Sequence, residues 1–299
     1  DSSMDGTLAI ANEFVAAYPQ VRLVHNTSKK GMVSNWERCV EEARYEWIKF
    51  LFQDDLLAPD CVEKMVNLCY ETGSSIAFCR RDFLVESDAP QESSRWAELV
   101  NKPEKMFARG IVPKSAIAEQ VVKFGTENII GEPTCLLFHK SLLSQIGSFD
   151  RRFNQSVDLE FALRAALTCG IAFTPEPLVQ FRVHGRSQTT ANTSGKKEPA
   201  LLKRSIRSLW GDDILLLKTY LSNDHFQVVR ELWTKEQLTN KIRYLYLRAC
   251  RNYGVKTIKD ALNDVIPFVP EIQNLRYNYL LYKIEKYKYK AFLKQRRDH

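Results

Sequence analysis

With 299 residues, 44% of them hydrophobic, the chain can form one large domain or one domain with an appendage, and its 26% charged and 11% aromatic content is that of an ordinary globular protein. It contains no apolar run of about 18 residues that would span a membrane, and its start, DSSMDGTLAI, lacks the basic-then-apolar pattern of a signal peptide. The net charge of +7 is uneven: residues 241–299 hold 14 Lys/Arg against 5 Asp/Glu, a surplus of +9 that leaves −2 for the first 240 residues. The basic character therefore belongs to the tail.

In chain order, residues 7–18 (TLAIANEFVAAY) have helical apolar spacing behind a plausible Asp5-Gly6-Thr7 turn. VRLVHN alternates like a short strand. Gly31 opens a helix over about Val33 to Ala43, and YEWIKFLF, rich in aromatic and β-branched residues, predicts a central strand. Pro59 starts a further helix that Gly73 stops, and SSIAFCRRDFLV predicts another strand. Such alternation argues a parallel α/β sheet. A doubly wound domain should begin with a strand and this chain begins with a loop and helix, so the reading expects one strand–helix unit, with the second strand, to be missing from the start.

Residues 86–112 are polar, with ESDAPQESSR as the clearest loop. A helix follows near Lys114–Lys123, then a strand-into-helix in GEPTCLLFHKSLLSQIG, an amphipathic helix in DLEFALRAALTCG stopped by Gly170, an extended stretch IAFTPEPLVQFRVH broken by Pro175 and Pro177, and a loop GRSQTTANTSGKKEPA. Beyond residue 200 the pattern is helical, with no Gly-rich phosphate loop and no repeat. Seven cysteines, at 39, 61, 69, 79, 135, 169 and 250, are odd in number and lack C-x-x-C spacing. They read as buried thiols of a reducing compartment, not as a zinc site.

Three groups of residues could carry chemistry. Asp54 and Asp55 close the FLFQDD run at the carboxyl end of a strand, where open sheets bind ligands. They either hold a hard divalent cation or form a helix-start pair stabilised by the dipole. Asp158 and Glu160 open a helix in SVDLEFALR. Asp158 is either its cap or a general base taking a proton from an attacking hydroxyl, with Glu160 orienting it or binding the acceptor. His184 follows a strand and precedes the loop, as a metal ligand or a surface imidazole, and Arg186 either touches phosphate or is a solvated charge. His25 and His139 read as structural, and no Ser/His/Asp or Cys/His nucleophile pattern is present.

Taken together, DSSMDGT, HNTSKKGMVSNWERCVEEARYEWIKFLFQDDLLAPD, GEPTCLLFHKSLLSQIGSFDRRFNQSVDLEFALR and PEPLVQFRVH resemble, in order and over about residues 1–190, the family 2 glycosyltransferases of GT-A fold. The resemblance implies an α/β, GT-A-type (Rossmann-like), mostly parallel sheet flanked by helices over residues 1–190, lacking its first strand–helix unit, and a basic helical C-terminal extension over 191–299. It implies an inverting, Mn²⁺- or Mg²⁺-dependent transfer from a nucleotide-diphosphate sugar, UDP-linked by family habit, to a hydroxyl acceptor in surface polysaccharide or glycolipid synthesis. In that scheme Asp1 contacts the nucleotide base, and the stretch from Asn26 to Gly31 borders the donor. Asp55 ligates the metal, Asp54 contacts the sugar or ribose, Asp158 is the base, and His184 completes metal or diphosphate binding. Two positions depart from the family: Phe52 and Val157 stand where many members carry Asp and Glu. The rival reading is therefore a non-catalytic sugar-nucleotide or carbohydrate-binding module.

The tail, NLRYNYLLYKIEKYKYKAFLKQRR, reads either as a packed helix with a solvated basic face or as a segment lying on an anionic membrane. The second reading adds a membrane-surface adaptor as a further possibility. Nucleic acid is set aside because no recognised module accompanies the charge. The expected location is cytoplasmic, with peripheral attachment at the inner face of the plasma membrane.

Overall fold

The computed structural model describes residues 3–28, 30–100, 102–187 and 199–295. The chain divides into two compact units, 1–45 and 46–299.

The first unit holds α1 (Thr7–Ala17) and α2 (Met32–Glu42). The Thr7 amide donates to Asp5 Oδ1 (3.0 Å) at the start of α1, and Gly31, at φ 86°, supplies the left-handed turn into α2. Asn26 is buried, donating to Asn35 Oδ1 (3.1 Å) and accepting from Arg38 Nη1 (2.5 Å), both on α2. The VRLVHN segment is not a strand: alternation creates one only where a neighbouring strand supplies a ladder, and none of the pairings among the described residues includes it.

The second unit is built on a six-stranded sheet: β1 (Trp47–Lys49), β2 (Leu56–Leu57), β3 (Ile76–Val85), β4 (Gly110–Val112), β5 (Leu136–His139) and β6 (Ile171–Val183), in the order β1-β5-β3-β6-β2 with β4 also on β6. The α/β class holds, but the sheet is mixed. Only β3 and β6 pair in parallel, because β5 inserts antiparallel between β1 and β3. β6 runs unbroken through Pro175 and Pro177: opposite them the β3 register shifts at Cys79/Arg80 and Arg80/Arg81, so a bulge absorbs residues that lack a ladder donor. The ESDAPQESSR stretch, expected as loop, is partly helical, since α4 (Gln91–Leu99) begins within it, and β4 closes the polar segment.

Helices α3 (Cys61–Thr72), α5 (Lys114–Phe124), α6 (Leu142–Ile146) and α7 (Val157–Cys169) lie among these strands. Gly73, at φ 66°, ends α3 in the left-handed conformation the sequence led one to expect. The core joins Cys61, Met65, Leu68 and Cys69 of α3 to Ala77, Cys79, Leu137, Ala172 and Val179 of the strands, and rings of Phe138, Phe149 and Phe161 tie β5 to α7 (centroids 4.6–5.3 Å). Cysteines 61, 69, 79, 135 and 250 are buried, and no disulfide forms.

From residue 199 the chain is helical, as expected: α8 (Pro199–Ile206), a π turn (Arg207–Gly211), α9 (Asp212–Ser222), α10 (Gln227–Leu232), α11 (Lys235–Tyr253), α12 (Val255–Ala261), α13 (Pro270–Gln273) and α14 (Tyr279–Gln295). Thr234 and Gln237 close a reciprocal capping box at the start of α11. Among the described residues no helix is long and apolar enough to cross a membrane.

Candidate active site

The acidic pair sits where β2 turns onto the end of β6. β2 is antiparallel to β6, with Leu56 opposite Gln180 and Leu57 opposite Val179. Continuing that register backward carries Asp55 and Asp54 along Phe181 to His184. The contacts follow: the Arg182 amide donates to Asp55 Oδ1 (3.2 Å), Arg182 Nε donates to the Asp54 carbonyl (2.8 Å), and His184 Nε2 lies 3.1 Å from Asp54 Oδ2. Arg182 is the penultimate residue of β6 and His184 directly follows the strand. The Arg182 guanidinium also pairs with Glu86.

The two carboxylates have different surroundings. Asp55 is 5% exposed and has both oxygens engaged, Oδ2 by the buried Thr134 hydroxyl and Oδ1 by the Arg182 amide. Burial raises its carboxyl above the ordinary range; those two hydrogen bonds oppose the shift, and the Asp54 and Glu132 charges add to it. Asp54 keeps about a quarter of its side chain open to solvent, with His184 as its polar neighbour.

Asp158 lies in the first turn of α7, whose other residues from Val157 to Leu167 are almost all buried. Burial, with the Glu132 carboxylate adding to it, pushes the Asp158 carboxyl up to about 7, while two backbone N–H groups and the Arg81 guanidinium pull it down. Glu132 therefore acts on both Asp55 and Asp158, and it is itself held by Arg81 Nε at 2.6 Å. Beside it, Gly131 adopts φ 123°, and a Cβ there would come within 2.9 Å of both Arg81 Nη1 and Cys135 Sγ, so only glycine fits.

The loop entering α7 is fixed from the helical region. Asp212, at the start of α9 and 1% exposed, accepts hydrogen bonds from the backbone N–H groups of Asn154 (2.9 Å), Gln155 (2.6 Å) and Ser156 (2.9 Å), and from Arg207 Nη1 (2.5 Å). The residues beyond 199 thus hold the segment on which Asp158 stands.

The structure joins Asp54 to His184 by a hydrogen bond, holds Asp55 to the same strand end through the Arg182 amide, and leaves Asp158 related to Asp55 through the Glu132 charge that acts on both. Arg186 is exposed after β6 and touches the Asp54–His184 pair through its backbone N–H, 3.3 Å from His184 Nδ1. Glu160 is placed elsewhere: it is 1% exposed and bound by Arg164 (Nε–Oε1 2.8 Å, Nη2–Oε2 2.9 Å), which also caps the carbonyls of Ile146 and Ser148. An acceptor could not reach that carboxylate without breaking this buried pair. Asp1 and the loop residues 188–198 lie outside the described residues. Sequence reasoning missed Arg81, Thr134, Glu132, Arg182 and Asp212. Two adjacent arginines inside the strand-like run IAFCRRDFLV were a usable signal, since a buried charge needs a partner; nothing local marked Asp212.

Among the described residues no three His, Cys, Asp or Glu side chains are grouped to hold a metal ion. The Asp54–His184 pair nonetheless suits one: two donors 3.1 Å apart match adjacent ligands of a cation with bonds of about 2.1 Å, and Mg²⁺ typically takes few protein ligands and fills its shell with water and substrate phosphate.

The mixed sheet flanked by helices is of the GT-A type of α/β fold. Residues 1–147 match the model of Glycosyl transferase family 2. An uncharacterized protein of Mycobacterium tuberculosis is 31% identical over 64% of this chain and 58% of its own length. The succinoglycan biosynthesis protein ExoO of Rhizobium meliloti is 27% identical over 62% of this chain and 51% of its own. The chain thus spans little more than half of these relatives. Staphylococcus aureus TarS (1–349), crystallised with UDP-GlcNAc, shares the fold at TM-score 0.55 and 15% identity over 90% of this chain and 71% of that one.

Proposed function

We propose that the protein is an inverting glycosyltransferase that moves a sugar from a nucleotide-diphosphate donor, UDP-linked, to a hydroxyl of a growing surface polysaccharide or glycolipid. The observation that carries this reading is the Asp54–His184 pair at the end of β6, beside Asp55, together with Asp158, whose carboxyl is pushed up to about 7 chiefly by burial and which shares the Glu132 charge with Asp55. A base working near pH 7 needs a pKa near that value. The family and the naming of ExoO support polysaccharide synthesis; the UDP-GlcNAc in the TarS crystals supports the donor class.

Asp54 and His184 would hold Mn²⁺ or Mg²⁺, and the bound cation would offset the charge of the leaving diphosphate. The role expected for Asp55 passes to Asp54, because both Asp55 oxygens are already committed to Thr134 and Arg182. Asp55 instead braces the turn that presents Asp54. Asp158 takes the proton from the acceptor hydroxyl as that oxygen attacks the anomeric carbon, and attack opposite the leaving group inverts the centre. Arg186 stands at the edge of the site, where it can meet phosphate, and Asp1 keeps its proposed contact with the nucleotide base.

Membrane attachment is part of the proposal. On one face of α14, Tyr282 and Tyr289 stack on Tyr244 of α11 (6.2 and 5.1 Å), and Lys241 sits 3.6 Å over the Tyr289 ring. The other face exposes Leu280, Ile284 and Tyr287 beside Lys283 and Lys290, a combination suited to an anionic lipid surface.

The test is UDP release from UDP-sugars with Mn²⁺ and an oligosaccharide acceptor. Turnover lost in Asp158→Asn with nucleotide affinity retained is expected; nucleotide binding without turnover under any donor and acceptor pairing would favour the non-catalytic binding module.

A further inference from the structure

Outside the Asp54–His184 group, a cavity of about 230 Å³ opens between the middle of β3 and the segment after α4, lined by Arg80, Arg81, Asp82, Phe83, Ala97, Lys102, Pro103 and Glu104. Its polar wall is incompletely matched. Arg81 pairs through Nε with Glu132 and Arg80 through Nη2 with Asp82 (3.3 Å), yet Arg81 Nη2 and Arg80 Nε are buried without a hydrogen-bond acceptor, and so is Glu104 Oε2 without a donor. The Lys102 ammonium is exposed, and no ion pair engages it among the described residues. Buried polar groups in folded proteins nearly always find partners, and on this wall the cationic side chains of Arg80, Arg81 and Lys102 outnumber the carboxylates of Asp82 and Glu104, so the cavity suits an oxygen-rich, negatively charged partner. Arg81 connects this cavity to the reaction centre through Glu132, which neighbours Asp158.

We propose that this cavity is the acceptor subsite and that it takes a saccharide bearing an oxyanion, a carboxylate or phosphate ester, with the anion on Arg80, Arg81 and Lys102 and a sugar hydroxyl donating to Glu104. This inference rests on the glycosyltransferase reading and narrows its acceptor to acidic glycans. Because Arg81 touches both the anion site and Glu132, an acidic acceptor would bring its hydroxyl to the side of the site where Asp158 stands.

The experiment measures binding to the full chain by saturation-transfer NMR and calorimetry with four probes: glucuronate, glucose 6-phosphate, glucose and inorganic phosphate. Glucuronate and glucose 6-phosphate are expected to bind, glucose to bind at least about tenfold more weakly, as the loss of a charge-assisted hydrogen bond dictates, and the anionic sugars to lose a similar factor in the Arg80→Gln/Lys102→Gln double variant. Inorganic phosphate separates a bare anion site from a saccharide site: phosphate as tight as glucose 6-phosphate overturns the saccharide assignment. Equal affinity for glucose and glucuronate, or anion binding untouched by the double variant, overturns the proposal altogether. UDP-sugar affinity of the wild type is read in the same titrations. Its absence would count against the transferase reading, while anion selectivity lost in the double variant would still establish the cavity as an acidic-sugar site.

Discussion

His184 Nε2 lies 3.1 Å from Asp54 Oδ2, joining the end of β6 to the turn before β2 across 130 residues of sequence. A divalent cation held between these two atoms would draw on both as ligands. Asp54→Asn and His184→Ala should each weaken Mn²⁺ affinity by at least about 100-fold, the upper end of what loss of a supporting partner costs a metal site. Calorimetric Mn²⁺ titration checks this. Asp55→Asn should act differently, lowering the melting temperature because it removes a carboxylate that Thr134 and Arg182 hold.

The Asp158 carboxyl, raised to about 7 chiefly by burial, sets the pH profile. A base is active when deprotonated, so kcat/KM should climb through pH 6 to 7 and level off above. Stability should run the other way. The folded carboxyl keeps its proton up to about 7 while the unfolded one releases it near 3.8, so between those values the unfolded chain binds fewer protons and stability falls as pH rises. Asp158→Asn should remove this fall and melt higher than wild type at pH 8, while lowering kcat by about 10²–10⁴. Unfolding curves at pH 5 and 8, set beside rate profiles, separate the two effects.

Asp212 should matter to catalysis without touching substrate. Its carboxylate is bound by three consecutive backbone N–H groups directly ahead of α7. Asp212→Asn turns strong charge-assisted bonds into neutral ones and leaves Arg207 with the exposed Asp264 as its remaining counter-charge. The expected result is a loss of about 3 kcal/mol in stability and a fall in kcat with little change in the donor KM. Restoration by Asp212→Glu is expected to be partial, since the longer side chain cannot reproduce the three bonds at once.

Glu160→Gln should behave as a scaffold variant. It strands Arg164 in the interior beside the carbonyls of Ile146 and Ser148, at a cost of about 3–5 kcal/mol. Chemical denaturation should reveal this loss, and the acceptor KM of whatever fraction remains folded should be unchanged. A selective rise in acceptor KM would return Glu160 to the binding site.

The order of helices and strands was legible in the sequence wherever one residue type had one physical use, as at Gly31, Gly73 and Gly170, where positive φ ends or opens a helix. Sheet polarity was not, because an alternating βα pattern says which strands exist and not that β5 would slip antiparallel between β1 and β3. The VRLVHN pattern misled for the same reason: period two describes a face, and a strand also needs a neighbour. Within the site, Asp54, Asp55, Asp158 and His184 stood out because carboxylates and imidazole at strand or helix ends are conspicuous. The different surroundings of Asp54 and Asp55 were hidden, since they depend on Thr134 and the Arg182 amide arriving from distant segments. Glu160 was overread because its burial against Arg164, one helical turn away, is decided by packing.

The most direct test is Mn²⁺-dependent UDP release from UDP-sugars, measured for wild type, Asp54→Asn and Asp158→Asn alongside UDP affinity. The account predicts turnover in the wild type, Mn²⁺-dependent UDP binding lost in Asp54→Asn, and in Asp158→Asn normal UDP binding with turnover gone. Near-normal turnover in Asp158→Asn, or Mn²⁺-dependent binding that survives in Asp54→Asn, would contradict it.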